Sequence, residues 1–242
     1  MTNTDWLERT ELLIQKEGLE KLMQSNVLVV GMGGVGAFVA EFLTRAGVGN
    51  LTIVDGDCVD KTNINRQLPA THSSIGLAKV DIMKNRILDI NPEINLTSIQ
   101  KFLNPEDMTS ILDNKNYDFV VDCIDSVLPK LMLIKSCKKR KIKIISAMGA
   151  GGKIDPSQVM VRDISKTNNC FLAKQIRKRL KREFGITKGV KCVFSTELQK
   201  ENSLQLTDGT QFKKSYYGTI SFMPALFGLY AAAEVVNFLI KK

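Results

Sequence analysis

At 242 residues, with 44% of them hydrophobic, the chain has the length and core material for one large α/β domain and excludes a disordered or low-complexity protein. The 34 Lys and Arg against 25 Asp and Glu leave a net charge of +9, which favours an anionic partner such as nucleic acid but also suits a plain soluble surface. Five cysteines, at 58, 123, 137, 170 and 192, form no C-x-x-C pair, which argues against structural zinc and for reduced thiols in the cytoplasm.

The start, residues 1–9, is polar and acidic and reads as no signal peptide. Residues 10–23 predict an amphipathic helix with Leu12, Leu13, Leu19 and Leu22 as apolar positions and Gly18 a weak point. The apolar run 27–30 predicts a strand, and 35–46 a helix ended by Gly47 and Gly49, residues that tolerate the left-handed conformation. Between them lie Gly31, Met32, Gly33, Gly34, Val35 and Gly36. A glycine turn between strand and helix lets backbone N–H groups approach a phosphate at a helix N-terminus; the plainer alternative is close helix packing. The next strand, 51–55, ends in Asp55, placed to accept hydrogen bonds from a ribose.

A polar stretch, 57–74, holds Asn63, Asn65, Arg66 and Gln67. A helix over 77–90 stops at Asn91 and Pro92, followed by a strand over 94–99 and a short helix over 105–112. The run 117–123 predicts a strongly apolar strand with Asp122 and Asp125 at its end. A helix over 129–139 gathers cations at its C-terminus, and 142–146 is a further strand. This alternation predicts an α/β, Rossmann-like, doubly wound and mainly parallel sheet, with ligands at the strand C-terminal ends. After Gly149–Gly152 the texture changes. Residues 159–162 and 191–194 predict added strands, 171–184 a very basic helix and 195–215 a mobile polar loop, with a last helix from near Pro224. The apolar stretch 220–240 contains Ser221, Pro224, Glu234 and Asn237, all costly in lipid, so it predicts a helix against the sheet or a partner subunit rather than a membrane span. Peripheral membrane association through that stretch is the second reading. The organisation expected is a single domain over 1–242, with a nucleotide-binding half (1–150) and a substrate and dimer half (151–242).

Asp55, Asp57, Asn63, Arg66, Gln67, Lys79 and Asp125 gather where a ligand would lie. A nicotinamide cofactor needs little cationic charge, whereas a triphosphate wants Arg, Lys and a metal. Arg66 and Lys79 are therefore candidates for the phosphates and Asp125 for Mg²⁺; singly, each would be an ordinary solvated side chain. Together they point to ATP.

The segments 29–36, 45–49, 52–57 and 63–67 resemble the ubiquitin-activating-enzyme-like adenylating superfamily, which includes the activators of the molybdopterin and thiamine sulfur carriers. Further along, 122–126, 149–156, 192–195 and 218–224 resemble the tRNA threonylcarbamoyladenosine dehydratases. The resemblance implies ATP-dependent cyclisation of a threonylcarbamoyl group on an adenosine beside the anticodon. It implies that Gly31, Gly33, Gly34 and Gly36 cradle the nucleotide, that Asp55 holds the ribose, and that Asn63, Arg66 and Lys79 hold the phosphates. It further implies Mg²⁺ on Asp125, a homodimer, and Arg9 reaching the phosphates of a partner's site.

Two departures separate the chain from the sulfur-carrier activators: it lacks their paired zinc cysteines and shows no separate segment for a diglycine tail. An activator of a ubiquitin-like sulfur carrier remains the alternative, and a nucleotide-binding regulator without chemistry a third. Cys170 or Cys192 reads either as a thioester nucleophile or as a buried small hydrophobe. His72 reads as a polar loop residue. No sulfur-transfer or reductase partner can be named. In 171–184, Leu172, Ile176, Leu180 and Phe184 form an apolar seam, while Lys174, Arg177, Lys178, Arg179, Lys181 and Arg182 cover the rest. That surface is either a solvated face or, as the charge and the resemblance suggest, a grip on tRNA phosphates that 138–141 extends.

Overall fold

The structure, a computed structural model, describes residues 4–206 and 215–242. Strands β1 (Asn26–Val30), β2 (Asn50–Val54), β3 (Asn95–Ile99), β4 (Phe119–Asp122), β5 (Lys143–Ala147), β6 (Val159–Asp163) and β7 (Lys191–Ser195) form one sheet in the order β3-β2-β1-β4-β5-β7-β6. Every neighbouring pair is parallel except β6 with β7. The expected doubly wound, mainly parallel sheet is therefore present, and the added strands extend it without a break. Strand order reverses at β1, which lies between β2 and β4, so the crevice at the carboxyl ends of β1 and β4 is the switch point at which such sheets bind ligands.

Burial on both faces follows from the two-residue strand period. Val27 and Val29 pack with one layer, and Leu28 and Val30 with the other. The first layer contains α1 (Glu8–Gln24), α2 (Gly36–Arg45), α3 (Lys79–Ile90) and α7 (Phe222–Leu239); the second contains α4 (Pro105–Asp113), α5 (Val127–Arg140) and α6 (Phe171–Phe184). Helix α7 is long and apolar enough to cross a membrane. Its Phe227, Ala231, Val235 and Leu239 are nevertheless buried, against α2 and the sheet. Gly228 permits the approach to α2: a Cβ there would come within 2.7 Å of the Val35 carbonyl oxygen.

Several local expectations are corrected. Leu19 and Leu22 are buried, but Leu12 and Leu13 are exposed, because Gln15 (φ 63°, ψ 165°) interrupts α1 and turns its first half. Gly47 is left-handed (φ 91°), whereas Gly49 is needed for space: a Cβ there would lie 1.8 Å from the Met23 carbonyl oxygen. The stretch read as a loop over 195–215 contains β8 (Leu204–Leu206), paired antiparallel with β9 (Ser215–Tyr217); residues 207–214 of it lie outside the described residues. In α6 the buried residues are Ala173, Ile176 and Leu180, with Leu172 and Phe184 only partly covered.

Candidate active site

The glycine turn sits at the switch point, and packing explains each glycine differently. Gly31 has φ +97°, and a Cβ would lie 2.9 Å from the Cys123 carbonyl oxygen at the end of β4. A Cβ on Gly36 would overlap the Gly31 carbonyl oxygen at 1.7 Å. Gly34 is pressed between the Arg66 carbonyl oxygen and the Pro224 ring, 3.1 Å and 3.0 Å from a hypothetical Cβ. Gly33 is the open one, where the nearest atoms a Cβ would meet are those of the Gln67 amide, from 3.8 Å. The Gln67 Oε1 is buried and has no hydrogen-bond partner among the described residues, an orphaned acceptor beside the turn. A ligand donor there would satisfy it.

Asp55, just past β2, accepts hydrogen bonds from the Met32 N–H (2.5 Å) and the Asp57 N–H (2.7 Å), tying the strand end to the turn. Burial pushes its carboxyl above the ordinary value, while these N–H groups and Lys79 pull it back. Lys79, at the start of α3, is buried, and its Nζ donates to Asp57 Oδ2 at 2.9 Å. Asp57 thus meets Lys79 directly. Asn63 is buried, and its Oδ1 accepts from the Asp60 N–H in the turn before Arg66. Arg66 is half-buried and donates to the Thr62 carbonyl oxygen and to Asn65 Oδ1, both at 2.7 Å. Burial lowers the Arg66 guanidinium, and the nearby Asp125 carboxylate raises it again. Asp125 is exposed on the turn after β4. The structure therefore brings Asp55, Asp57, Lys79, Gln67, Arg66 and Asp125 to the carboxyl edge around the glycine turn. Arg9 is not among them. It is exposed near Leu7, which packs on Gly47 at the opposite end, where the strands begin.

The ThiF family model matches residues 7–242. The chain belongs to the ThiF family. It is 43% identical over 243 residues to the tRNA threonylcarbamoyladenosine dehydratase of Bacillus subtilis, covering 96% of this chain and 94% of that one. The crystal structure of the Escherichia coli tRNA N6-threonylcarbamoyladenosine dehydratase in complex with ATP is similar at a TM-score of 0.89 and 36% identity, over 98% of this chain and 95% of that one. The same E. coli enzyme in complex with AMP gives a TM-score of 0.89 at 37% identity, over 100% and 97%.

This ThiF-family chain also holds groups that sequence reasoning missed. Lys130 is wholly buried; its Nζ donates to Asp122 Oδ2 (2.8 Å), Ser146 Oγ (3.2 Å) and the Ala147 carbonyl oxygen (3.0 Å). Asp122 Oδ1 accepts from the Ile124 N–H at 3.0 Å, so this buried cluster fixes the turn that carries Asp125. Lys153 is buried among the carbonyl oxygens of Asn169 (3.3 Å), Ser195 (2.8 Å) and Glu197 (2.5 Å), and burial lowers its ammonium. It pins the Gly149–Gly152 loop to β7 and to the start of α6. The only signal was a lysine beside apolar residues or glycines. The cysteines are all free thiols. Cys170 and Cys192 are buried, and burial pushes the Cys192 thiol well up, against the thioester reading for it.

On α6, Arg177 is turned inward. Its Nη1 donates to the Thr167 carbonyl oxygen (2.7 Å) and to Thr167 Oγ1. Arg179 and Arg182 pair with Glu183 and hold its carboxyl down to about 2. The side chains of Lys174, Lys178 and Lys181 are exposed, with no polar partner among the described residues.

Proposed function

We propose that the chain is an ATP-dependent tRNA threonylcarbamoyladenosine dehydratase. The observation that carries this reading is the set Asp55, Lys79, Arg66 and Asp125 around the glycine turn, in a chain that matches dehydratases over nearly its whole length. Asp55 takes the ribose, the glycine turn and Asn63 approach the phosphates, and Gln67 offers its orphaned oxygen to the nucleotide. Arg66 and Lys79 neutralise charge as the threonylcarbamoyl carboxylate attacks the α-phosphorus and pyrophosphate departs. The carbamoyl group then attacks the activated carbonyl carbon, loses a proton, and AMP leaves with the carboxylate oxygen. The ring closes and one water is lost in sum. Because the attack is internal, proximity supplies much of the rate and no protein nucleophile is needed.

Mg²⁺ fits this donor set. It is bound by one or two carboxylates together with substrate phosphates rather than by a protein cage, and Asp125 is an exposed carboxylate beside Arg66. When bound there it supplies charge neutralisation on the phosphates.

The single sheet is divided in use, with 1–150 serving the nucleotide and 151–242 the tRNA and a second copy of the chain. Helix α6 presents Lys174, Lys178 and Lys181 to the tRNA backbone, with Arg182 and 138–141 beside them; Arg177 serves the fold first. The second copy covers an apolar groove lined by Phe38, Phe42, Phe222, Leu226 and Leu229, and Arg9, remote from its own site, reaches its partner's. With free thiols and a tRNA substrate, the work belongs in the cytoplasm.

Pyrophosphate release with and without tRNA bearing threonylcarbamoyladenosine tests the reading. Release only with that tRNA supports it. Release driven by a small carrier protein instead would favour the sulfur-carrier activator, and nucleotide binding without release would favour a regulator.

A further inference from the structure

A hydrogen-bond relay crosses from the nucleotide side to the second half of the chain beside Arg66. Arg66 Nη1 donates to Asn65 Oδ1 at 2.7 Å. The other end of the same amide, Asn65 Nδ2, donates to the Thr219 carbonyl oxygen at 2.9 Å, 154 positions along the chain. Thr219 follows β9 and lies on the glycine loop after β5. There the Gly152 N–H donates to the Gly218 carbonyl oxygen at 2.8 Å, and a Cβ on Gly151 would come 3.2 Å from the Thr219 hydroxyl. Gln199 Nε2 donates to the Gly151 carbonyl oxygen at 3.1 Å, while its Oε1 is buried without a partner among the described residues.

An exposed asparagine has no packing reason to be fixed, yet this one uses both amide ends on defined partners. An acceptor and a donor on one short planar group are what this bridge requires: alanine offers neither, and a carboxylate cannot donate to the Thr219 carbonyl.

We propose that Asn65 is a positioning residue. It sets the angle at which the Arg66 guanidinium meets the nucleotide phosphates, and it ties that angle to the Gly149–Gly152 loop, which borders the half of the chain proposed to take the tRNA. The inference rests on the dehydratase reading. A planar fork is effective only when aimed, and Asn65 supplies an anchor that turns with the substrate side of the cleft.

The test is a double-mutant cycle of Asn65→Ala and Arg66→Lys, read as kcat, as KM for tRNA and as ATP affinity by calorimetry, with melting recorded for each variant. Arg66→Lys keeps the charge but loses the fork that Asn65 holds. The expected result is a roughly 10-fold fall in kcat for Asn65→Ala at saturating tRNA, with near-normal melting and little further loss in the double variant. Single losses that multiply in the double variant would overturn the inference, as would an unchanged kcat with lowered melting, the mark of a merely structural contact. Wild-type protein that binds ATP but does not cyclise the tRNA nucleoside would sink the dehydratase reading instead. The ATP-affinity cycle then decides alone: non-additive losses uphold Asn65 as the residue that aims Arg66, and additive losses overturn it.

Discussion

Arg66 and Lys79, the proposed phosphate ligands, stand in different surroundings. Lys79 is buried and paired with Asp57, whereas Arg66 is half-buried and held by carbonyl and amide oxygens. Neither fills the apolar core, so Arg66→Ala and Lys79→Ala should each lower turnover by about 3 kcal/mol of transition-state stabilisation, roughly 100-fold, with near-normal melting. Normal turnover in both variants would contradict their roles. Asp55 adds a pH dependence. Its carboxyl is raised above its ordinary value of 3.8 by burial. The folded state therefore holds the proton more tightly than the unfolded chain. The resulting stabilisation is full below 3.8 and is lost as pH rises through the folded value. The ribose contact proposed for Asp55 needs the ionised acceptor and runs the other way, so ATP affinity should rise over that same window. Calorimetry across pH should show this rise, and Asp55→Asn should remove it along with most of the affinity. Asp55, Arg66 and Lys79 were legible because glycine turn, strand end and helix start have local signatures. Lys130, Lys153 and Asn65 were not: their partners come from other elements, and no periodicity announces a buried cation or a bridging amide.

Helix α6 shows how far an element can be read. Its bounds follow from the apolar period and Gly185, which is left-handed at φ 66°. The basic residues of 171–184 looked equivalent in sequence, but folding sorts them. Arg177 holds the Thr167 turn, Arg179 and Arg182 share Glu183, and Lys174, Lys178 and Lys181 face solvent. Changing those three lysines to Glu should weaken tRNA binding and flatten the slope of log affinity against log salt, while ATP affinity stays level. An unchanged slope would remove α6 from the tRNA surface. The strands were legible almost residue by residue, since apolar runs bounded by glycine and polar residues leave few alternatives. Helix α1 was less so, because the turn at Gln15 carries no glycine or proline to mark it.

Across the whole molecule, one sheet carries the glycine turn after β1 and the Gly149–Gly152 loop after β5, and α7 presses on both the glycine turn and α2. The same helix exposes Phe222 and Leu229 beside Phe38 and Phe42, the apolar surface proposed to meet a second copy. Light scattering at micromolar concentration should give a dimer, and Leu229→Glu should shift it toward monomer; a wild-type monomer would contradict the proposal that Arg9 completes a partner's site. The central claim is chemical. The most direct measurement is the mass of the modified nucleoside after tRNA bearing threonylcarbamoyladenosine is incubated with the protein, ATP and Mg²⁺. The account predicts loss of one water from that nucleoside, dependent on ATP and slowed roughly 100-fold by Arg66→Ala. An unchanged mass under conditions where the protein is folded and binds both ATP and tRNA would contradict it.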